Sequence, residues 1–98
     1  MTIEKHRDGS ALTLAPEGRL DTITSPELEK ALKESLDGVS ELTLDFEKLD
    51  YISSAGLRVL LTAQKTMNRQ GSMKIVHVCD TIMEMFEVTG FLDILTIE

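Results

Sequence analysis

Between Leu42 and Met67 the apolar residues change period, and that change constrains the fold more than any other feature of the chain. Leu42, Leu44 and Phe46 alternate with Thr43 and Asp45, the period of two of a strand that buries one face. Leu57, Leu60, Leu61 and Met67 fall instead on one stripe of a helix. The pattern predicts a buried strand, a short connection, and a helix that starts at the pair Ser53 and Ser54.

A serine at such a junction has two uses. The first N–H groups of a helix lack intrahelical partners, and a serine oxygen that accepts from one stabilises the helix by about 1 kcal/mol. Those same N–H groups and the helix dipole also make a place where an added phosphate is tolerated. Gly56 favours the second use, because a glycine in the first turn costs about 1 kcal/mol yet leaves the backbone bare for a partner or an anion. The residues alone leave both uses open.

Tyr51-Ile52-Ser53-Ser54-Ala55-Gly56-Leu57-Arg58-Val59-Leu60-Leu61 resembles the signature of the STAS domain, and in particular that of the small stand-alone bacterial anti-sigma factor antagonists. Gly18-Arg19-Leu20-Asp21 resembles the Gly-x-Leu-Asp loop that precedes the first helix of that family. Length and element order match from end to end. The resemblance implies a single STAS-type domain over residues 1–98, an α/β fold whose mixed sheet opens with a hairpin and is packed by three to four helices.

It also implies a partner-switching function. In that family the unphosphorylated antagonist binds an anti-sigma factor, usually a serine kinase of the histidine-kinase-like ATPase fold, and so frees a sigma factor. The kinase ends binding by phosphorylating a serine of the signature loop, and a serine phosphatase restores it. By this resemblance Ser54 is the phosphate acceptor, with Ser53 as the fallback, and Asp21, Ser53, Ser54, Gly56 and Arg58 form the partner-binding surface. Many antagonists carry Asp-Ser-Ser/Thr-Gly here; anchored on Gly56, that pattern puts Ser53 at the aspartate and Ala55 at the second hydroxyl. The chain would have no catalysis and no cofactor of its own. The alternative within the family is a scaffold that binds without phosphorylation, such as the small subunit of a lipid-transport ATPase.

A formal charge of −7 argues against nucleic acid, which demands a basic footprint, and suits a protein partner with a basic face. No segment has the ~20 apolar residues of a membrane span and Met1 to His6 is not a signal peptide, so the expected setting is cytoplasmic, with no membrane contact and a monomer as the default state. Cys79 is the single cysteine, which excludes an internal disulfide; it is expected to be a small buried residue at a strand end.

Taken in order, residues 2 to 15 predict a hairpin turning at Asp8-Gly9, with the charged first arm on the sheet edge and His6 solvated. Pro16-Glu17-Gly18 is expected to break or bulge the second arm, and Arg19-Leu20-Asp21 to lead out of the sheet. Asp21 suits a turn that bonds nearby backbone N–H groups. Thr24 and Ser25 both suit the start of a helix carrying Leu28, Ala31, Leu32 and Leu36, which Gly38 ends. Gln70-Gly71 stops the next helix, and Met73 to Val78 predicts an interior parallel strand. Asp80 is expected to cap a third, apolar helix that Thr89-Gly90 ends; of its methionines most should be core and some an adaptable surface patch. Ile94, Leu95 and Ile97 form a last strand or docked tail.

Catalytic readings fail on spacing. A nucleophile elbow needs Gly-x-Ser-x-Gly, and the residue two before Ser54 is Ile52. His6 and His77, the only candidate bases, both belong to strands, and no phosphate-binding Gly-x-x-x-x-Gly-Lys loop is present. Asp45, Glu47 and Asp50 lack the pattern of a calcium loop and read as a solvated acidic rim, with no metal cluster.

Overall fold

Gly9 takes the left-handed backbone (φ +61°) that a tight hairpin demands, so strand β1 (Thr2–Asp8) folds back on β2 (Ala11–Leu20) in antiparallel register from Thr2 opposite Glu17 to Asp8 opposite Ala11. The computed structural model describes residues 1–98. As expected, β1 is an edge strand and His6 lies exposed on it. Pro16 does not break the second arm. It is buried and paired with Ile3, and a bulge between Gly18 and Arg19, with Gly18 at φ +94°, turns the strand while keeping it in the sheet. Arg19 and Leu20 therefore end a long strand rather than lead out of it.

That length gives β2 two neighbours along one side. Its first half pairs in parallel with β3 (Glu41–Asp45), Leu12 beside Leu42 and Leu14 beside Leu44. Its second half pairs in parallel with β4 (Leu49–Ile52), Leu20 beside Ile52. The pattern predicted only a connection where β4 lies: four residues are too few to display a period. β5 (Ser72–Val76) pairs in parallel with β3, giving the order β1-β2-β3-β5. It is thus the far edge strand and not an interior one. Its alternation of buried Met73 and Ile75 with exposed Ser72 and Lys74 fits that place. The chain end covers part of this edge, with Ile75 N–H donating to Thr96 O and Glu98 N–H to Ile75 O, each at 2.9 Å.

Three α-helices pack on the sheet: α1 (Ser25–Ser35), α2 (Ser54–Gln70) and α3 (Asp80–Thr89), the last followed by a 3₁₀ turn (Phe91–Asp93). Leu28 and Leu32 of α1, Leu57, Leu60 and Met67 of α2 and Ile82 and Phe86 of α3 join the strand residues Leu12, Leu14, Leu42, Leu44 and Ile75 in one buried cluster. Phe46, one residue past β3, is fully buried with them. Cys79, not Asp80, occupies the position before α3, and it is partly exposed rather than buried; Asp80 is the first helical residue. Met83 and Met85 are half-buried against the core, so the surface apolar residues of this end are Val88, Leu92 and Ile94 instead.

Candidate functional site: two loops at the ends of paired parallel strands

Parallel neighbours point the same way, so β2 and β4 deliver the chain to the same end of the sheet. Ser53 N–H donates to Leu20 O at 2.9 Å, one residue before Asp21 and one before Ser54. The loop after β2 and the start of α2 are therefore side by side although Asp21 and Ser54 are far apart in sequence.

The first loop is built by Asp21. Its Oδ1 accepts from the N–H groups of Ile23 and Thr24 at 3.0 Å each, and its own N–H donates to Thr24 Oγ1 at 2.9 Å. Thr24 Oγ1 in turn donates to Arg19 O at 2.6 Å. The N–H of Thr24 and then that of Ile23 hold the Asp21 carboxyl below its ordinary pKa, against partial desolvation, with the charge of Arg19 adding to them. Thr24 precedes α1 and Ser25 is its first residue, yet neither side chain caps it; Ser25 Oγ is buried without a partner. Glu27, in the first turn of α1, binds the N-terminal amine at 3.2 Å.

The second loop leaves a helix end open. Ser53 sits at the cap position with extended backbone (φ −102°, ψ 177°), but its side chain turns inward: Oγ is buried, makes no hydrogen bond and caps nothing. The intrahelical ladder begins with Leu57 N–H donating to Ser53 O at 3.0 Å, which leaves the N–H groups of Ser54, Ala55 and Gly56 outside it. No carboxylate stands in the first turn. Ser54, the first helical residue, is exposed.

Gly56 is buried, and its bareness serves the interior. A Cβ there would lie 2.7 Å from Ile52 Cγ1 and 2.9 Å from Leu20 Cγ. Glycine at this position lets α2 settle on the ends of β2 and β4; the requirement comes from packing and not from approach by a partner. Arg58, one turn beyond Ser54, is exposed and borders a shallow cleft with Thr22, Ser25 and Ala55.

Three further residues shape the surface that periodicity alone missed. Arg19 lies over the Tyr51 ring, 4.0 Å from its centroid, and its Nε is 3.9 Å from Asp21 Oδ2. This pair exists because Arg19 and Tyr51 are opposed in the β2–β4 ladder, which the pattern did not reveal. Ile23, in the Asp21 loop, is 83% exposed.

Away from this surface, the acidic rim gains a histidine. His77 follows β5 at φ +58°, outside the strand where its neighbours placed it, and its Nδ1 is 2.9 Å from Asp45 Oδ1. Donor atoms of Asp45, Glu47 and His77 all lie within 4.8 Å of one another, a grouping that sequence spacing did not show because His77 is remote from the other two. The hydrogen bond and charge of Asp45 raise the His77 pKa.

Comparison with known proteins agrees with this fold. The STAS domain family matches residues 2–98. BtrV of Bordetella bronchiseptica is 38% identical over 80 residues, spanning 80% of this chain and 69% of that protein. The anti-sigma-B factor antagonist of Listeria monocytogenes is 30% identical over 97 residues, 96% of this chain and 84% of the relative. Among solved structures, an anti-sigma factor antagonist from Mycobacterium paratuberculosis superposes with a TM-score of 0.88 at 18% identity, covering 98% of this chain and 83% of that one. The phosphorylated form of the Bacillus cell fate determinant SpoIIAA superposes with a TM-score of 0.76 at 14% identity, covering 99% and 91%. With its family match over residues 2–98 and its relatives in agreement, the chain belongs to the STAS domain family, among relatives named anti-sigma factor antagonists.

Proposed function

We propose that this chain is an anti-sigma factor antagonist switched by phosphorylation of Ser54. The observation that carries the reading is the uncapped start of α2: an exposed hydroxyl on the first helical residue, with three backbone N–H groups outside the ladder and Ser53 turned away from them. A phosphate there adds −1.5 to −2 charges, and the helix end tolerates it, by about 0.3 to 2 kcal/mol in its favour. The same charge pressed into an interface without a partner costs several kcal/mol. A cost of ~4 kcal/mol weakens a complex about a thousandfold, so one group dissolves the interface while the carrier stays folded.

In this reading the Asp21 loop and the start of α2 contact a kinase-type anti-sigma factor of the histidine-kinase-like ATPase fold, which supplies the ATP, and a serine phosphatase reverses the step. Ser53 is a poor acceptor because its oxygen is buried. Incubation with the cognate kinase and ATP, followed by peptide mass spectrometry, is expected to place one phosphate on Ser54. Ser54→Ala should stay bound to that kinase and Ser54→Asp should not. A phosphate on Ser53, or on neither serine, contradicts the reading.

A further inference from the structure

Charge is not spread evenly over this domain. Helix α2 holds Arg58, Lys65 and Arg69 and no carboxylate, while the chain as a whole carries −7. At 100° per residue, Ser54, Lys65, Arg58 and Arg69 fall within about 60° of arc, on a stripe about 22 Å long. All four are exposed. Lys30, Lys33, Lys48 and Lys74 each find a glutamate, but none of the three cations of α2 takes part in an ion pair. Salt screens surface charge over about 8 to 10 Å, so a partner in contact with α2 feels this local stripe more strongly than the charges on the far side of the domain.

We infer that the outward face of α2 docks an acidic surface of the anti-sigma factor, with Ser54 at the head of the contact. The inference rests on the antagonist reading and adds the chemistry of the partner to it. It reverses what the overall charge suggests, since −7 by itself suits a basic partner face. It also supplies a reason for the switch: a phosphoryl group on Ser54 makes the head of a basic stripe acidic, so that an acidic surface which the unmodified helix attracts is repelled.

The test is the rate of association of the purified domain with its cognate anti-sigma factor, measured at about 50 mM and about 500 mM salt. The charge-reversed variant Lys65→Glu/Arg69→Glu lies beyond the serine loop, and circular dichroism checks that it folds. Its association at low salt is expected to be slower by roughly tenfold, with the gap closing at high salt. Lys74→Glu, on the open face of the sheet, should associate like the unaltered domain. Equal or faster association by the double variant at low salt overturns the inference while leaving the antagonist reading intact. So does a stripe that binds phosphatidylglycerol vesicles while the double variant still associates normally with the anti-sigma factor. Failure of the unaltered domain to bind any anti-sigma factor overturns the antagonist reading itself, and the inference with it.

Discussion

Gly56 lies so close over Ile52 that a Cβ on it would come within 2.7 Å of Ile52 Cγ1. This contact sets the height of α2 above the paired ends of β2 and β4, and with it the position of Ser54. Overpacking a core costs about 1 to 3 kcal/mol, and alanine returns about 1 through its helix propensity. Gly56→Ala is therefore expected to lower stability by up to about 2 kcal/mol, read as a fall in the urea midpoint at constant slope. A raised midpoint would mean that Ile52 and Leu20 yield freely.

Ser53 stands where a helix cap belongs and does not act as one. Replacing a working cap by alanine costs ~1 kcal/mol, whereas removing a buried hydroxyl that has no partner is close to neutral. Ser53→Ala is expected to change stability by less than ~0.5 kcal/mol in urea unfolding. A loss at the level of a true cap would show that its oxygen serves the helix end.

The open start of α2 makes a second prediction, independent of any partner. A carboxylate on the first turn interacts favourably with the helix end by about 0.3 to 1 kcal/mol. Ser54→Asp should raise the melting temperature of the isolated domain at low ionic strength, and the gain should shrink with added salt. A destabilised Ser54→Asp domain would contradict the tolerance for charge that phosphorylation of this residue requires.

The ion pair of His77 and Asp45 predicts a pH dependence. His77 has a pKa raised above its ordinary 6.5 by the Asp45 hydrogen bond and charge. Its contribution is therefore fully present below pH 6.5 and is lost as pH rises through the higher folded value. Asp45 is pushed up by desolvation, but the hydrogen bond from His77 and the N–H of Glu47 prevail and hold it below 3.8. Its contribution is present above pH 3.8 and is lost as pH falls through the lower folded value. In a proton NMR titration, Asp45→Asn should move the His77 midpoint down toward 6.5. An unmoved midpoint would show that the pair is absent in solution.

Much of this architecture was legible because it is local. The hairpin at Asp8-Gly9, the strand of Leu42 and Leu44 and the helix of Leu57 and Leu60 each follow from spacing that a single element displays on its own. The elements that escaped are those defined by their neighbours. β4 is four residues long and becomes a strand only because the bulge at Gly18 carries β2 far enough to pair with it. β5 looked interior from its apolar run, yet its place at the edge depends on the order in which strands assemble.

The site divides in the same way. The sequence by itself determined the family, the helix start at the serines and the residues from which a switching surface would be made, since signature and spacing are properties of the chain. Only the tertiary structure decided that Ser53 faces inward, that Gly56 is bare for the sake of Ile52 and Leu20, and that Arg58, Lys65 and Arg69 form one unpaired stripe in an acidic protein. Orientation, packing distance and local charge depend on which segments lie side by side, and a net charge or a motif carries no record of that.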